Sequence, residues 1–324
     1  MRIRSSTRSW FRERRNASHN SLFDFLHGYV YGRWPYTYIG IAIGEHRVTK
    51  IVRPIFTLLS LPFKAIGYLF NRNHRDSSGN GETAKQKFAD TYHGKVVPLE
   101  GARKLVTVNQ DVSLRNLEHV IPYDTARDIV LKNPDQLAVL QCPCRTARKD
   151  PCTPLDVCLV VGEPFTSFIL EHHPERARKI TSDEAVNILQ EEDKRGHVHH
   201  AFFKDAMLGR FYAICNCCKC CCGAMQAHRN GTPMLASSGY VAKVDQRQCA
   251  VCGTCAKYCQ FEAVTFFDGV KSIDAMKCLG CGVCIPKCAK NALTLERDPG
   301  RGIPLELDEL MSEAGEKELQ KYSN

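Results

Sequence analysis

Motifs that would mark most enzyme classes are missing from this chain. No G-x-G-x-x-G opens a helix after a strand and no G-x4-G-K-S/T occurs, so nucleotide and flavin binding have no motif support. Nucleophile elbows and metalloprotease motifs are absent too, which leaves any catalysis to a metal centre. A secretory signal, with its charged region set directly before an apolar core and a small-residue cleavage site, is not found. Arg14-Arg15 is a twin arginine, but "RRNASHN" lacks the apolar continuation that export needs. Excess positive charge is missing from three quarters of the sequence. Residues 1–75 hold thirteen Lys/Arg against three Asp/Glu, and the rest holds 31 against 32.

That N-terminal excess is organised. "MRIRSSTRSWFRERRN" sets Arg2, Arg4, Arg8, Arg12, Arg14 and Arg15 around Trp10 and Phe11, and a second run carries Ile55, Phe56, Leu58, Leu59, Leu61, Phe63, Ile66, Tyr68, Leu69 and Phe70 between Arg53 and Arg72. Pro62 and Lys64 break the second run, which falls short of the ~20 apolar residues of a membrane span. Basic flanks beside aromatic and aliphatic side chains suit a membrane interface. Residues 1–75 are therefore expected to dock on the cytoplasmic membrane surface or a membrane subunit, making the protein cytoplasmic and peripheral. The alternative is a helical layer over 21–71 packed on the protein itself. No recognisable nucleic-acid module accompanies the arm.

Cysteine is what the chain has in quantity: eighteen in 324 residues, in clumps at 142–158, 215–222, 249–259 and 278–288. Adjacent cysteines cannot easily meet disulfide geometry with each other, and a chain of this length needs no stapling. Tight clumps suit metal chelation in a reducing compartment, where thiolates survive to capture metal.

Between these landmarks the sequence reads as α+β. Residues 76–87 look like a linker, rich in Ser, Gly and charge. A mixed α/β cysteine-rich domain is expected over 88–240. Its pieces are a helix over about 123–132, a buried strand Leu137–Leu140 leading to Cys142 and Cys144, the apolar run "LDVCLVVGE", and a helix after a Thr181/Glu184 capping box that ends at Gly196. Residues 241–296 form a separate unit, and 297–324 read as a polar tail.

Within that unit "CAVCGTCAKYCQFEAV" and "CLGCGVCIPKCAKNAL" align without gaps at an offset of 29, each as C-x2-C-x2-C-x3-C. Asp268-Gly269 between two β-type runs signals a hairpin. Residues 249–296 resemble the bacterial-type ferredoxin domain that binds two [4Fe-4S] clusters for electron transfer. The resemblance implies that Cys249, Cys252, Cys255 and Cys288 hold one cluster and that Cys278, Cys281, Cys284 and Cys259 hold the other. Where that family usually has proline after the fourth cysteine, this chain has Gln260 and Ala289. Altered loop rigidity is expected there rather than loss of a cluster.

The ten central thiols are Cys142, Cys144, Cys152, Cys158, Cys215, Cys217, Cys218, Cys220, Cys221 and Cys222. Cys215, Cys218 and Cys221 stand at C-x2-C-x2-C spacing, so one loop could cap three irons while Cys217, Cys220 and Cys222 point elsewhere. One or two further iron–sulfur clusters are expected, with zinc as the alternative and the exact ligands open. The pairing of "CPCR" with "ICNCCKCCC" ahead of such a module resembles, over most of the chain, iron–sulfur proteins of anaerobic bacteria that carry no assigned substrate. His172, His173, His197, His199 and His200 are read as surface or hydrogen-bonded histidines rather than ligands. Arg145, Arg148 and Lys149 either offset cluster charge or form a solvated basic loop.

Two functional classes remain. In the first the protein is an electron carrier or oxidoreductase subunit that works with redox protein partners. In the second it is an iron–sulfur reductase whose central cluster is the catalytic site. Neither uses a nucleotide cofactor.

Overall fold

The computed structural model describes residues 3–17, 21–47, 49, 78–267 and 270–323. The basic, apolar run between Arg53 and Arg72 lies outside the described residues. Three helices open the chain: α1 (Ser5–Glu13), α2 (Leu22–Arg33) and α3 (Pro35–Ala42). After α4 (Ser78–Thr91) come β1 (Tyr92–Val96), α5 (Leu99–Thr107), β2 (Val112–Leu114), β3 (Ile129–Leu131), β4 (Leu137–Gln141), α6 (Pro143–Thr146), β5 (Asp156–Val161) and α7 (Phe165–His172). The central part closes with β6 (Ala177–Ile180), α8 (Ser182–Lys194), β7 (Val198–Lys204), β8 (Arg210–Cys217), α9 (Gly223–Arg229) and β9 (Leu235–Ala236). The C-terminal part carries β10 (Tyr240–Val244), α10 (Thr254–Tyr258), β11 (Val264–Phe267), β12 (Val270–Ile273), β13 (Leu293–Arg297) and α11 (Leu307–Ser323).

The fold is mixed α/β. A seven-stranded sheet runs in the order β6-β4-β5-β8-β7-β1-β9. Its neighbours are antiparallel except for the β1–β9 pair, which is parallel. Every residue of β7, "VHHAFFK", is buried, which its β-branched and aromatic content favours in a central strand. Helices α5 and α8 pack on each other and on β7. The Thr181 hydroxyl accepts from the Glu184 amide at the start of α8, and Gly196, at φ 89°, turns the chain after it. The capping box is half made, because the Glu184 carboxylate pairs with Arg178 instead.

The N-terminal helices belong to this core. Trp10 of α1 is fully buried, edge-on to Phe25, Phe165 and Phe168 at centroid distances of 5.9, 5.5 and 4.7 Å. At Gly28 a Cβ would lie 2.0 Å from the Ala206 carbonyl oxygen, so α2 approaches the β7–β8 connection as only glycine allows. His172 meets the Thr7 hydroxyl at 3.0 Å and His173 meets the Gly32 carbonyl at 2.7 Å. These two histidines seat the N-terminal helices and are buried, not on the surface. Helices α1 to α3 pack on the protein, as the alternative of a helical layer over 21–71 has it for α2 and α3: apolar aromatics among the arginines gain more by packing on α7 than by facing water.

Three further expectations need correction. Residues 78–87 are helical rather than linker, because Glu82, Ala84, Lys85, Gln86 and Lys87 are good helix formers despite the glycines. No helix covers 123–132. Ala126 takes φ 54°, and the consecutive apolar residues Ile129, Val130 and Leu131 make strand β3. The tail at 297–324 contains α11, whose start packs back through buried Leu305, Leu307 and Leu310 and a 2.7 Å ion pair between Lys104 and Asp308.

Candidate metal centres

The repeat seen in the sequence is also a repeat in space. Antiparallel β11–β12 and antiparallel β13–β10 correspond at the 29-residue offset. The Asp274 amide donates to the Ala263 carbonyl at 2.8 Å, and the equivalent Asp245 amide donates to the Ala292 carbonyl at 2.9 Å, so each half closes on the other. Ala263 N–H reaches the Cys259 sulfur at 3.3 Å, and Ala292 N–H reaches the Cys288 sulfur at the same distance. Asp245 and Asp274 each cap the turn before the first cysteine of their half, accepting from Arg247 and Met276 at 2.8 and 2.9 Å. The signal was present four residues before Cys249 and Cys278, and the reading that began at the cysteines missed it.

Each half builds a wall around its own space. Cys249, Cys252, Cys255 and Cys288 line one cavity of about 30 Å³, and Cys259, Cys278, Cys281 and Cys284 line another of about 20 Å³. The two sets are those named from the resemblance, each with three thiols from one loop and the fourth from the other half. Burial raises the Cys281 thiol well above its ordinary value and lifts Cys284 to about 12. Such thiols ionise when a metal replaces the proton. The cavities and the N–H···S bonds fit an inorganic core held by thiolates.

The ten central thiols divide into six and four. Cys142, Cys144, Cys158, Cys215, Cys217 and Cys222 line an apolar cavity of about 210 Å³ beside Tyr31, Tyr92 and Phe202, and Cys218 and Cys221 of the second group reach its wall as well. Cys158 and Cys215 are register partners across β5 and β8, and Cys217 meets Cys222 at 3.3 Å. The neighbouring Cys144 thiol and burial push Cys142 up to about 12, and contacts with Cys142 and Cys215 together with burial raise Cys158 well above its ordinary value. Cys152, Cys218, Cys220 and Cys221 form the second group, with all four sulfurs within 4.8 Å of one another. Here burial raises Cys152 to about 12. Burial opposes ionisation of Cys220 too, yet hydrogen bonds from Cys152, Cys218 and Cys221 outweigh it and hold that thiol below its ordinary value.

Cys215, Cys218 and Cys221, the expected cap, do line one cavity, but Cys217 and Cys222 line it too instead of pointing elsewhere, and Cys218 and Cys221 also draw together with Cys152 and Cys220. A spacing of three would serve a loop, but Cys215 is still within β8, where alternate residues share a face. Cys215 and Cys217 therefore face the larger cavity. The Asn216 side chain turns away to His199 at 2.6 Å and the Val157 carbonyl at 2.7 Å.

Basic residues and histidines support the thiols from behind. Arg145 is 1% exposed and reaches Glu192 at 2.5 Å, His197 at 3.0 Å and the Asn216 carbonyl at 3.0 Å. Arg148 binds the Cys221 carbonyl, Glu45 and Gln226, so of the three basic residues Lys149 alone is exposed. The solvated-loop reading of Arg145 and Arg148 is corrected accordingly. His197, His199 and His200 are buried rather than on the surface. His200, register partner of Cys215, has no hydrogen-bond partner at either ring nitrogen, and burial lowers its pKa to about 3, so it is neutral.

Among the described residues no helix is long and apolar enough to cross a membrane. Compared with protein-family models, curated proteins and solved structures, the chain matches none.

Proposed function

We propose that this chain is an iron–sulfur electron-transfer protein, a carrier or oxidoreductase subunit working with redox protein partners of an anaerobic system. In this reading the two C-terminal cysteine quartets each hold a [4Fe-4S] cluster and the six thiols around the larger central cavity hold a further one. The observation that carries it is the pair of quartets, related by a 29-residue repeat, each around its own cavity and each with a backbone N–H on its fourth cysteine. Such clusters, once bound, supply one-electron redox chemistry. The chain's own part is to fix the thiolates, exclude water and donate N–H···S bonds.

The reductase reading, with the catalytic site in the central domain, draws on the same six-thiol cavity. Its thiols outnumber the four ligands of a saturated cubane, and aromatic side chains stand beside them. A shift of the central EPR signal on adding a small ligand would favour this reading over simple relay.

Docking is proposed for the exposed face of α2 and its exit. Leu22, Phe23, Leu26, Val30 and Trp34 recur at helical spacing and are 43–75% exposed. With the basic excess of residues 1–75, this face suits the cytoplasmic membrane surface.

The deciding measurement is iron and acid-labile sulfide per chain on anaerobically purified protein, wild type and Cys252→Ala. About twelve iron with matching sulfide, the sum of three four-iron clusters, and a fall of about four in the variant are expected. Zinc in place of iron, or no fall in the variant, rejects the reading.

A further inference from the structure

The four sulfurs of Cys152, Cys218, Cys220 and Cys221 are spaced differently from every other thiol set in the protein. Cys152 and Cys220 are 3.1 Å apart, Cys152 and Cys218 3.7 Å, and Cys220 and Cys221 3.7 Å. Among the described residues this is the one group of three or more Cys, His, Asp or Glu whose ligand atoms all lie within 4.8 Å of one another. Neither C-terminal quartet does so, and each of those surrounds a cavity instead. Four thiolates on one tetrahedral ion, with metal–sulfur bonds of about 2.3 Å, place their sulfurs about 3.8 Å apart. Four thiolates at the corners of a cubane must stand wider, because the cage lies between them.

We propose that Cys152, Cys218, Cys220 and Cys221 bind a single metal ion as a closed tetrathiolate site, for a soft divalent ion of the zinc or ferrous class. Three ligands come from the turn after β8 and the fourth from the loop between α6 and β5. The Cys152 amide already points to the Cys221 sulfur at 3.5 Å. Two cations lie beside the group, Arg148 paired with Glu45 and Lys219 with Glu262, each at 3.0 Å. Arg148 donates to the Cys221 carbonyl at 3.1 and 3.2 Å, and Lys219 lies between two of the ligands. Cys218 and Cys221 also line the six-thiol cavity, so the ion ties the 150–154 loop to that cavity's wall. The site stands independently of the iron–sulfur reading, since it requires no sulfide.

The test uses full-length protein purified without oxygen, as wild type, Cys152→Ser and Cys220→Ser. Cys220 is exposed, so its replacement removes little packing. Loss of one metal ion per chain with acid-labile sulfide unchanged is expected in both variants. At the zinc edge, X-ray absorption of the wild type purified from zinc-supplemented medium should show four sulfur neighbours and no metal neighbour. This second readout needs no variant, and the metal's identity separates zinc from iron. Sulfide that falls with the metal, metal that does not change, or a Cys152–Cys220 disulfide in the wild type would overturn the proposal. Failure of the iron–sulfur reading would instead appear as sulfide missing from the wild type.

Discussion

The backbone amide of Lys219 donates to the side-chain oxygen of Gln260 at 2.9 Å, and the amide nitrogen of the same Gln260 side chain donates to the Gly196 carbonyl at 2.8 Å. Lys219 lies within the turn that carries Cys218, Cys220 and Cys221, and Gln260 directly follows Cys259. The position where the resembled family has proline is thus a two-ended clamp between the C-terminal unit and the central domain, which proline could not make. Gln260→Ala should cost about 1–3 kcal/mol, as two half-buried partners lose their bonds. Denaturant unfolding checks the loss, and the metal content should stay at the wild-type level.

Exposure of the α2 face makes docking testable without touching a thiol. Phe23→Asp with Leu26→Asp should reduce co-sedimentation with anionic vesicles several-fold while leaving iron content unchanged, since both side chains are more than half exposed. Equal sedimentation of wild type and variant would discard this surface.

Lys95 gives stability a pH dependence of known sign. Its side chain is 1% exposed, donates to the Ile303 carbonyl at 2.8 Å, and is lowered by burial to a pKa of about 7. The unfolded chain keeps that proton up to about pH 10, so unfolding takes up a proton between about 7 and 10 and this residue's contribution to stability rises with pH across that window. Lys95→Met should flatten that slope. Urea unfolding of wild type and variant at pH 7 and 9 checks it, and the difference between them removes the titration of every other group.

How much of this was legible follows from which forces act locally. The helix after Thr181 was readable because its cap and apolar stripe are local, as were the strand at Leu137 and the two β-type runs that pair as β11 and β12, whose expected turn at Asp268-Gly269 lies outside the described residues. The burial of Trp10 was not, since Phe165 and Phe168 lie more than 150 residues away in the chain. Helix α4 was hidden by glycines whose cost its neighbours offset. For the thiols, composition sufficed to identify chelation, but the partition into six and four depends on where β8 ends. Counting cysteines as if they all lay on one loop hid that boundary.

Strand β8 also limits how this chain can change over time. Because Cys215 and Cys217 face one side and Asn216 the other, adding or removing a single residue between Arg210 and Cys217 would exchange the two sides. Asparagine would then meet the cavity, and two thiols would turn toward His199 and Val157. Loops such as the one between β2 and β3 can lengthen without this penalty. Any descendant that keeps its metal should therefore vary freely in loop length and yet keep "ICNCC" in fixed count, so alignment gaps would mark where the protein has ceased to do the same work.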